Sequence, residues 1–396
     1  MSGAATSPPG VACPTCLRRA RLLALVAGGL EVAHKRRRPI RDVLALSDAA
    51  LLAAASGRTD ERALRERLAA FDPFELLIAA ADTELEVLCR HTADYPEGLA
   101  DDRSAPHALF VRGGEAGRAR LSALLGADRP LGTPQPVASI VGTRRASVEG
   151  VEIAKALGRG LASAGVTVVS GLALGVDSAA HEGALEAGGG TIAVLAGGAD
   201  VPYPASKAGL YDAIVASGGA IVSEMPPRFR AFRWNFPARN RIIAGLAPAT
   251  IVVEAAERSG SLITADLALE LGRDVGAVPG PVLSWRSRGT NALLRDGATL
   301  VRDAADALEL TLGIAAAHEA LRRAESERTL PPATLEPELA ALLAAVEDGQ
   351  DTVSALTPDA AGASIVTAGL MELELLGLIR RMPGGRVART TRAGML

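Results

Sequence analysis

The chain has 396 residues, of which 48% are hydrophobic and 3% aromatic, so it can bury a sizeable core and more than one domain is expected. Its formal net charge at pH 7 is −3, which excludes a uniformly basic surface, so any site for a polyanion must be local. The apolar runs are short, rich in alanine and interrupted by arginine, which excludes a signal peptide and a membrane-spanning helix and predicts a soluble, cytoplasmic protein.

The first hundred residues are rich in alanine and arginine. Residues 1–12 are predicted to be a disordered tail, and residues 13–105 a small helical domain. The basic run at 35–38 is typical of a solvated helix face, so it predicts no contact with nucleic acid.

The cysteines of this helical segment suggest part of a metal site. Cys13 and Cys16 have the spacing of half a zinc site, but no second pair follows and Cys89 stands alone. His34 and His91 are the residues that would have to complete such a site. The sequence prediction therefore assigns no metal ligand and no cofactor, and the low cysteine content indicates a reducing compartment.

A glycine-hinged turn follows the first strong strand pattern. A β-branched run ends at Gly142, and Ser147 is placed to cap a helix that extends to about Ala164. Thr143, Arg144 and the following arginine occupy the turn itself. Because free amides at a helix start carry partial positive charge, this turn predicts an anion site.

Two further turns repeat this design. One follows the β-branched run 166–170 and passes through Gly171 into a helix that opens at Asp177. The other follows the run 250–254 and passes through Gly260 into a helix that ends before a glycine. Parallel strands place such turns along one edge of a sheet, where open α/β sheets bind ligands.

These elements predict an α/β fold with a Rossmann-like, mostly parallel sheet and flanking helices. No Gly-x-Gly-x-x-Gly follows a strand and no Gly-Lys-Ser or Gly-Lys-Thr closes a phosphate loop. The sequence therefore disfavours a dinucleotide or ATP ligand.

At this point the chain resembles the DNA-processing protein A family, also called DprA or Smf, over about residues 95 to 310. The residues that carry the resemblance are Gly142-Thr143-Arg144, the segment 170–177 with His181, Tyr203-Pro204, and the segments 236–246, 259–264 and 272–280. The resemblance implies a core at 106–312 in a bacterial, cytoplasmic protein that binds single-stranded DNA and forms a homodimer. It also implies partnership with RecA recombinase and single-strand-binding protein, protection of incoming DNA and loading of RecA during natural transformation.

The segment 228–241 suits single-stranded DNA on its residues alone. It holds five arginines and four aromatic residues and no acid. Arginine pairs with phosphate in a fork geometry, and a base stacked on an aromatic ring contributes about 1–3 kcal/mol. Two alternatives stay open at this stage: the aromatic rings fill the core beside the sheet, and Arg239 and Arg241 form a buried structural salt link.

The predicted site binds the DNA backbone and contains no catalytic residue. Arg144 is the first expected phosphate ligand, and Lys207 is included from the family geometry. The predicted residues are Gly142, Thr143, Arg144, Arg145, Ser170, Gly171, Lys207, Arg239, Asn240, Arg241, Gly260, Ser261 and Thr264.

Two rival functions use the same fold. A nucleotide phosphoribohydrolase would need a glutamate after its phosphate turn, and the turn at 259–266 lacks it at the expected step. Asp177 and His181 are four residues apart on one predicted helix face, the spacing of a general acid–base pair. The second rival is a nucleotide sensor, which a mononucleotide would saturate. The chain is predicted not to be an enzyme.

The C-terminal fifth predicts a separate module. Residues 313–337 are predicted to be a helical, proline-bearing linker, and residues 338–396 a winged-helix domain, because helix, short helix, helix and hairpin patterns follow in that order. Glu372 and Glu374 on the third helix would repel a DNA groove. A protein-contact or structural role is therefore an open alternative to duplex binding.

Overall fold

The computed structural model forms two compact units, Met1–Ala320 and Leu321–Leu396, and each is considered by itself. It describes residues 12–35, 39–56, 61–100, 102–123, 136–328, 336–348, 350–357, 362–375, 378–382 and 386–389. The predicted disordered tail, apart from Ala12, and most of the basic run at 35–38 lie outside these residues. No helix in the described ranges has the length and apolarity to cross a membrane.

The first unit begins with a layer of short helices. Within the described residues they are α1 (Pro14–Leu25), α2 (Ala27–Lys35), α3 (Ile40–Leu44), α4 (Asp48–Ser56), α5 (Glu61–Ala69) and α6 (Pro73–Asp82). The start of α6 shows why these boundaries fall where they do. Asp72 caps it by accepting a hydrogen bond from the Phe74 amide, and Pro73 occupies the first helical position, where no amide hydrogen is needed.

The strands of the first unit form one large sheet. In the described part of the chain they are β1 (Glu86–Cys89), β2 (Ala108–Arg112), β3 (Val137–Val141), β4 (Thr167–Ser170), β5 (Thr191–Val194), β6 (Ala220–Ser223), β7 (Ala249–Val252), β8 (Asp274–Ala277) and β9 (Thr299–Leu300). Their order across the sheet is β1-β2-β6-β5-β4-β3-β7-β8-β9. In this order, all neighbouring strands from β6 through β5, β4, β3, β7 and β8 to β9 pair in parallel. The pairs β1 with β2 and β2 with β6 are antiparallel.

Helices flank both faces of this sheet. They are α7 (Glu97–Ala100), α8 (Gly114–Ser122), α9 (Val148–Ser163), α10 (Val176–Glu186), α11 (Ala208–Ala216), α12 (Asn235–Leu246), α13 (Gly260–Glu270), α14 (Arg288–Arg295) and α15 (Ala304–Leu312), with a 3₁₀ turn at Ala205–Lys207. The predicted Rossmann-like, mostly parallel α/β fold is therefore confirmed. The antiparallel edge formed by β1 and β2 was not predicted.

The strand order places a ligand crevice at the middle of the sheet. The chain runs outward from β3 through β4 and β5 to β6, and then returns across the sheet to β7 on the other side of β3. In open α/β sheets such a reversal leaves a crevice beyond the carboxyl ends of the two central strands. The turns after β3 and β7 are two of the three that the sequence singled out.

Local signals account for the elements around this crevice. Strand β3 is buried along its whole length, and the Ser147 hydroxyl accepts a hydrogen bond from the Gly150 amide at 2.9 Å to cap α9. The helix α13 stops before Gly272, whose φ of +67° is the left-handed conformation that glycine adopts without strain. These predicted strand and helix boundaries are confirmed to within a few residues.

The N-terminal helices share their core with the sheet. Side chains of β2 alternate between its faces, so that Leu109 belongs to one core cluster, with Ile242 of α12, and Phe110 to another, with Leu17 of α1. Trp234 is fully buried among the N-terminal helices, and its indole nitrogen donates a hydrogen bond to the Ala27 carbonyl at 3.0 Å. The predicted domain boundary at 105/106 falls between β1 and β2, which pair with each other.

The second unit is small. The helix α16 (Ile314–Arg328) contains the unit boundary, and the described residues after it form α17 (Pro337–Glu347), α18 (Val353–Leu356), α19 (Ala363–Leu375) and an antiparallel hairpin of β10 (Ile379–Met382) and β11 (Arg386–Arg389). Leu343, Leu370, Leu373 and Val387 pack together in its core. The order of elements agrees with the predicted pattern, and the winged-helix assignment stays a prediction.

Candidate functional site

A crevice of about 310 Å³ lies at the topological switch point. It is bordered by the turns after β3 and β7, the start of α10 and one face of α12. Its lining residues are His34, Val141, Gly142, Arg144, Ala173, Asp177, Phe236, Pro237, Arg239, Asn240, Ile243, Ser259, Gly260, Ser261, Ile263 and Thr264. A smaller pocket adjoins it and shares Arg144, Ala173, Phe236 and Arg239.

The first predicted anion turn is already neutralised from within. The Ser147 amide and hydroxyl both donate to the buried carboxylate of Glu254, at 2.9 and 2.8 Å, and the Thr143 amide donates to the Glu254 carbonyl at 2.7 Å. Glu254 follows β7, so this contact ties the two central turns together. The Thr143 amide was predicted to donate to phosphate, but in the structure it is already hydrogen-bonded to a backbone carbonyl of the protein.

The second predicted turn also faces an acid of the protein. Burial raises the pKa of Asp177, against the lowering effect of Arg239 and of the Ala173 and Gly171 amides. The hydroxyl of Ser170 donates to the Ile140 carbonyl at 2.6 Å and does not line the crevice. Ser170 and Gly171 therefore support the turn rather than offering donors to a ligand.

Arg239 lies at the floor of the crevice. Its guanidinium Nη1 donates to the Gly171 carbonyl at 2.7 Å and also to the Val194 carbonyl. A side-chain carbon added at Gly171 would stand 1.9 Å from that nitrogen, so a larger residue there would have to displace the guanidinium from its carbonyl partners. Burial lowers the pKa of Arg239 to about 10, which still leaves it charged at neutral pH. The residue supplies positive potential to the crevice from below.

Arg241 lies outside the crevice and forms a buried ion pair. Its side chain is 2% exposed, and Nη2 donates to the Glu224 carboxylate at 2.5 Å. Nε and Nη1 donate to the carbonyls of Ser104 and Ala238 at 2.9 and 3.0 Å. All three nitrogens have internal partners, so the structure shows the buried salt link for Arg241, whereas Arg239 donates to carbonyls. Of the aromatic residues, Trp234 is fully buried and Phe236 lines the crevice.

The third predicted turn is capped by a hydroxyl and not by a carboxylate, because Ser259 Oγ accepts a hydrogen bond from the Ser261 amide at 3.4 Å. Helix α13 begins at Gly260, and within the described residues the amide of Gly260 has no hydrogen-bond partner. Asn240 holds this turn in place by donating from Nδ2 to the Gly260 carbonyl at 3.1 Å. Ser261 and Thr264 lie on the same helix and line the crevice. The positive end of α13 therefore faces the crevice without an internal carboxylate.

Arg144 is exposed at the rim of the crevice. Its guanidinium carbon lies 4.8 Å from the centre of the Phe236 ring, and the Phe236 and Tyr203 rings are 5.5 Å apart. Among the described residues Arg144 has no acidic partner within ion-pair distance. A cation held on an aromatic face keeps its N–H groups available for an anion.

Two predicted basic residues do not line the crevice. Arg145 is exposed next to Arg144, and its carbonyl accepts a hydrogen bond from Arg286 at 3.1 Å. The Lys207 ammonium pairs with Glu182 at 2.9 Å. Arg145 extends the rim. Lys207 was included because of the family resemblance, but Glu182 balances its charge.

Residues that were not predicted from the sequence also lie at or beside the crevice. His34, on α2 of the N-terminal layer, lines it directly. Trp285 is exposed, and the guanidinium of Arg286 lies 4.7 Å from the centre of the Trp285 ring. The same guanidinium donates a hydrogen bond to the Arg145 carbonyl. The adjacent Trp-Arg pair is the same chemical signal as the 228–241 segment, but too short to stand out.

Asp177 and His181 do not form an acid–base pair. His181 is fully buried, and its Nδ1 contacts the Thr191 hydroxyl at 2.6 Å, while that hydroxyl donates to the Val168 carbonyl. The imidazole Nδ1 is therefore the donor. Burial, with a smaller effect of Arg239, lowers the pKa of His181 to about 3. His181 serves the interior, and only Asp177 reaches the crevice.

Together these features define an α/β protein with a positively charged crevice at the switch point of a mostly parallel sheet. A sequence model of the family described as DNA recombination-mediator protein A matches residues 86–311. The chain belongs to this family.

Several relatives show how far the similarity extends. Protein Smf of Escherichia coli K12 is 39% identical over 301 residues, 74% of either chain. A DprA relative in Mycobacterium tuberculosis H37Rv is 51% identical over 172 residues, 43% of this chain but only 44% of that protein's length. The crystal structure of DNA processing protein A from Streptococcus pneumoniae matches with a TM-score of 0.56 and 34% identity, covering 74% of this chain and 95% of that one.

Proposed function

We propose that the protein binds single-stranded DNA along the crevice and its rim and acts as a recombination mediator. The observation that carries this proposal is an exposed Arg144 on the Phe236 ring, with no acidic partner within ion-pair distance among the described residues, in the same crevice as the start of α13, where the Gly260 amide has no hydrogen-bond partner in those residues. A guanidinium and free helix amides bind phosphate, and the ring beside them offers a stacking surface.

The arrangement suits a strand better than a single nucleotide. Arg144 lies over the Phe236 ring, which packs against Tyr203, and Arg286, which lies over the Trp285 ring, donates to the carbonyl of the adjacent Arg145. Charged groups and rings therefore continue past the crevice on the exposed surface. Such contacts address phosphates and base faces, so we expect little sequence preference.

A non-catalytic role agrees with the same geometry. His181 is committed to Thr191, and Asp177 is held by its turn and by Arg239. The hydrolase alternative would require one of these groups to reach a substrate together with a second acid or base. The sensor alternative differs only in the length of its ligand.

Family membership supports the wider role. We propose that the protein works in the cytoplasm as a homodimer, protects incoming DNA and loads RecA onto strands covered by single-strand-binding protein during natural transformation. The test is RecA-dependent strand exchange on DNA pre-coated with single-strand-binding protein. The proposal expects the protein to shorten the lag before exchange; an unchanged lag, with strand binding intact, would refute the loading role alone.

The first test of strand binding is fluorescence anisotropy with oligonucleotides of increasing length across a salt series. The proposal expects affinity to rise with length over several nucleotides and log Kd to change with log salt by about 0.7 per phosphate contacted. Mononucleotide and duplex competitors are included. Full displacement by a mononucleotide would replace the proposal by the sensor, and absence of binding at low salt would reject both.

A further inference from the structure

Four side chains with metal-binding chemistry meet at the edge of the sheet, away from the crevice lining. They are Cys13, Cys16, Cys89 and His91, and their sulfur and ring-nitrogen atoms all lie within 4.8 Å of one another. Cys16 and Cys89 are buried, Cys13 is half-buried and His91 is exposed. Four potential metal ligands therefore lie together, and the histidine side of the cluster is exposed to solvent.

The fold, rather than the sequence, brings this set together. Cys13 caps α1 and Cys16 lies in the first turn of that helix, whereas Cys89 ends β1 and His91 follows two residues later. The two short motifs, Cys-x-x-Cys and Cys-x-His, are separated by more than seventy residues. Cys89, for which the sequence offered no partner, meets Cys13 across 76 positions.

The distances fit a tetrahedral zinc ion. The His91 Nδ1 atom lies 3.3 Å from the Cys13 sulfur and 3.3 Å from the Cys16 sulfur. With zinc–sulfur bonds of about 2.3 Å and zinc–nitrogen bonds of about 2.0 Å, neighbouring ligand atoms of a tetrahedron stand about 3.5–3.8 Å apart. Small side-chain adjustments therefore suffice to place one ion among the four atoms.

The three cysteines are free, and their arrangement argues against a disulfide. The Cys13 amide points at the Cys89 sulfur at 3.4 Å, an N–H···S contact that stabilises negative charge on sulfur. Three sulfurs at one point cannot all pair with each other, so a disulfide would leave one cysteine over and the imidazole without a role. Three cysteines and one histidine are a common ligand set of structural zinc sites.

We propose that Cys13, Cys16, Cys89 and His91 bind one structural Zn²⁺ ion that fastens α1 to the sheet edge. The set offers four protein ligands and no open position, which is the pattern of structural sites. Helix α1 packs through Cys16 and Leu17 against Phe110 of the neighbouring strand. The ion closes a chain loop of about seventy-six residues and thereby restricts the unfolded state.

The direct test is the metal content of the full chain, purified without chelator from zinc-supplemented medium. We expect about one zinc per chain, measured by mass spectrometry of the elements. After exchange into Co²⁺, we expect the visible absorption of a tetrahedral ion and a thiolate charge-transfer band. Less than a tenth of an ion per chain, with no Co²⁺ spectrum, would overturn the proposal.

Variants identify the ligands. Cys89→Ser and His91→Ala should lower the zinc content at least several-fold, and His34→Ala, which removes the other candidate histidine, should leave it unchanged. Full zinc content in Cys89→Ser would contradict the assignment, as would an intact mass showing a disulfide in the freshly purified wild type.

A second measurement guards against variants that misfold. In the wild type, removing zinc with a strong chelator should increase hydrogen exchange of α1 and β1 amides many-fold and leave β7 and β8 protected. Equal exchange with and without zinc would mean that the ion does not fasten these elements. This outcome is independent of DNA binding.

Discussion

The exposed Arg144 and the buried Arg239 and Arg241 lie at or near the crevice, and they differ in their partners. Arg144 is exposed, stacks on Phe236 and has no acidic partner in the described ranges. Arg239 and Arg241 are buried, and their guanidinium groups donate to carbonyls of the protein or to Glu224. Arg239 and Arg241 of the arginine-rich segment 228–241 therefore support the fold, whereas the arginine that is exposed at the rim, Arg144, comes from the turn after β3.

The three helix starts divide in the same way. The start of α9 is neutralised by Glu254 and the start of α10 faces Asp177, whereas the start of α13 is capped by the Ser259 hydroxyl and leaves the Gly260 amide without a hydrogen-bond partner in the described residues. Among the three, the start of α13 is therefore the one that no carboxylate of the protein caps. This arrangement agrees with a local site on a chain of net charge −3.

Loss of the buried Arg241–Glu224 ion pair should cause the largest fall in the free energy of unfolding. Arg241→Met leaves the Glu224 carboxylate buried without its cation, which should lower the free energy of unfolding by about 3–5 kcal/mol in a urea titration. The matched control is Arg103→Met, whose ion pair with Asp42 is exposed and should contribute about 1 kcal/mol or less. Equal losses in the two variants would show that the buried pair has no special structural role.

The next effect concerns the acid sensitivity of the buried layer. Because His181 has a folded pKa of about 3, the unfolded chain binds a proton that the folded chain refuses at any pH between that value and the ordinary pKa near 6.5. Its contribution is complete above this window and is lost as the pH falls. Between pH of about 5.5 and 4 it should amount to about 1.4 kcal/mol per pH unit.

The control for this pH effect is His181→Asn, which retains a donor towards Thr191 without a titrating ring. Urea titrations at several pH values should give a shallower loss of stability in the variant. Parallel pH profiles for the two proteins would contradict the buried, neutral state of His181.

A smaller effect tests the contact between floor and turn. Gly171→Ala brings a methyl group against the Arg239 guanidinium, which its carbonyl partners hold in place, so we expect a loss of about 1–3 kcal/mol in unfolding free energy. Gly209→Ala is the matched control, because that helical glycine has open space and alanine favours helix. A loss at Gly209 as large as that at Gly171 would remove the steric argument.

The smallest effect concerns the rim. Phe236→Leu keeps an apolar side chain but removes the ring beneath Arg144, so single-stranded DNA should bind about tenfold more weakly, the lower end of a stacking contribution. Phe232→Leu is the control, because that ring is exposed, pairs with Phe229 and does not line the crevice. Anisotropy titrations that weaken equally in both variants would place the stacking surface elsewhere.

Short-range patterns predicted much of this architecture. The cap at Ser147 and the stop at Gly272 depend on backbone groups within a few residues, so the sequence displays them directly. The antiparallel pairing of β1 with β2, and of β2 with β6, depends on strands up to about a hundred residues apart, and no local signal encodes it. The fold class was therefore predictable, and the sheet edge was not.

The same limit separates the predicted site from the observed one. Arg144 and Arg241 look alike in the sequence, and Arg241 is structural because Glu224 after β6 and the carbonyl of Ser104 lie against its guanidinium group. The Thr143 amide is taken by Glu254, which follows a strand more than a hundred residues later. Residue type predicted the ligand chemistry, while long-range partners decided which residues remain available for it.

In the proposed function, the exposed Arg144 binds single-stranded DNA, and the buried Arg241 stabilises the fold without contacting DNA. The decisive measurement is single-stranded DNA binding by Arg144→Ala, Arg241→Met and the surface control Arg65→Ala, compared at equal concentrations of folded protein. We expect about a 10- to 100-fold weaker Kd for Arg144→Ala, with a shallower salt dependence, and values near wild type for the other two. Wild-type affinity in Arg144→Ala, or an equal loss in Arg241→Met, would contradict the account.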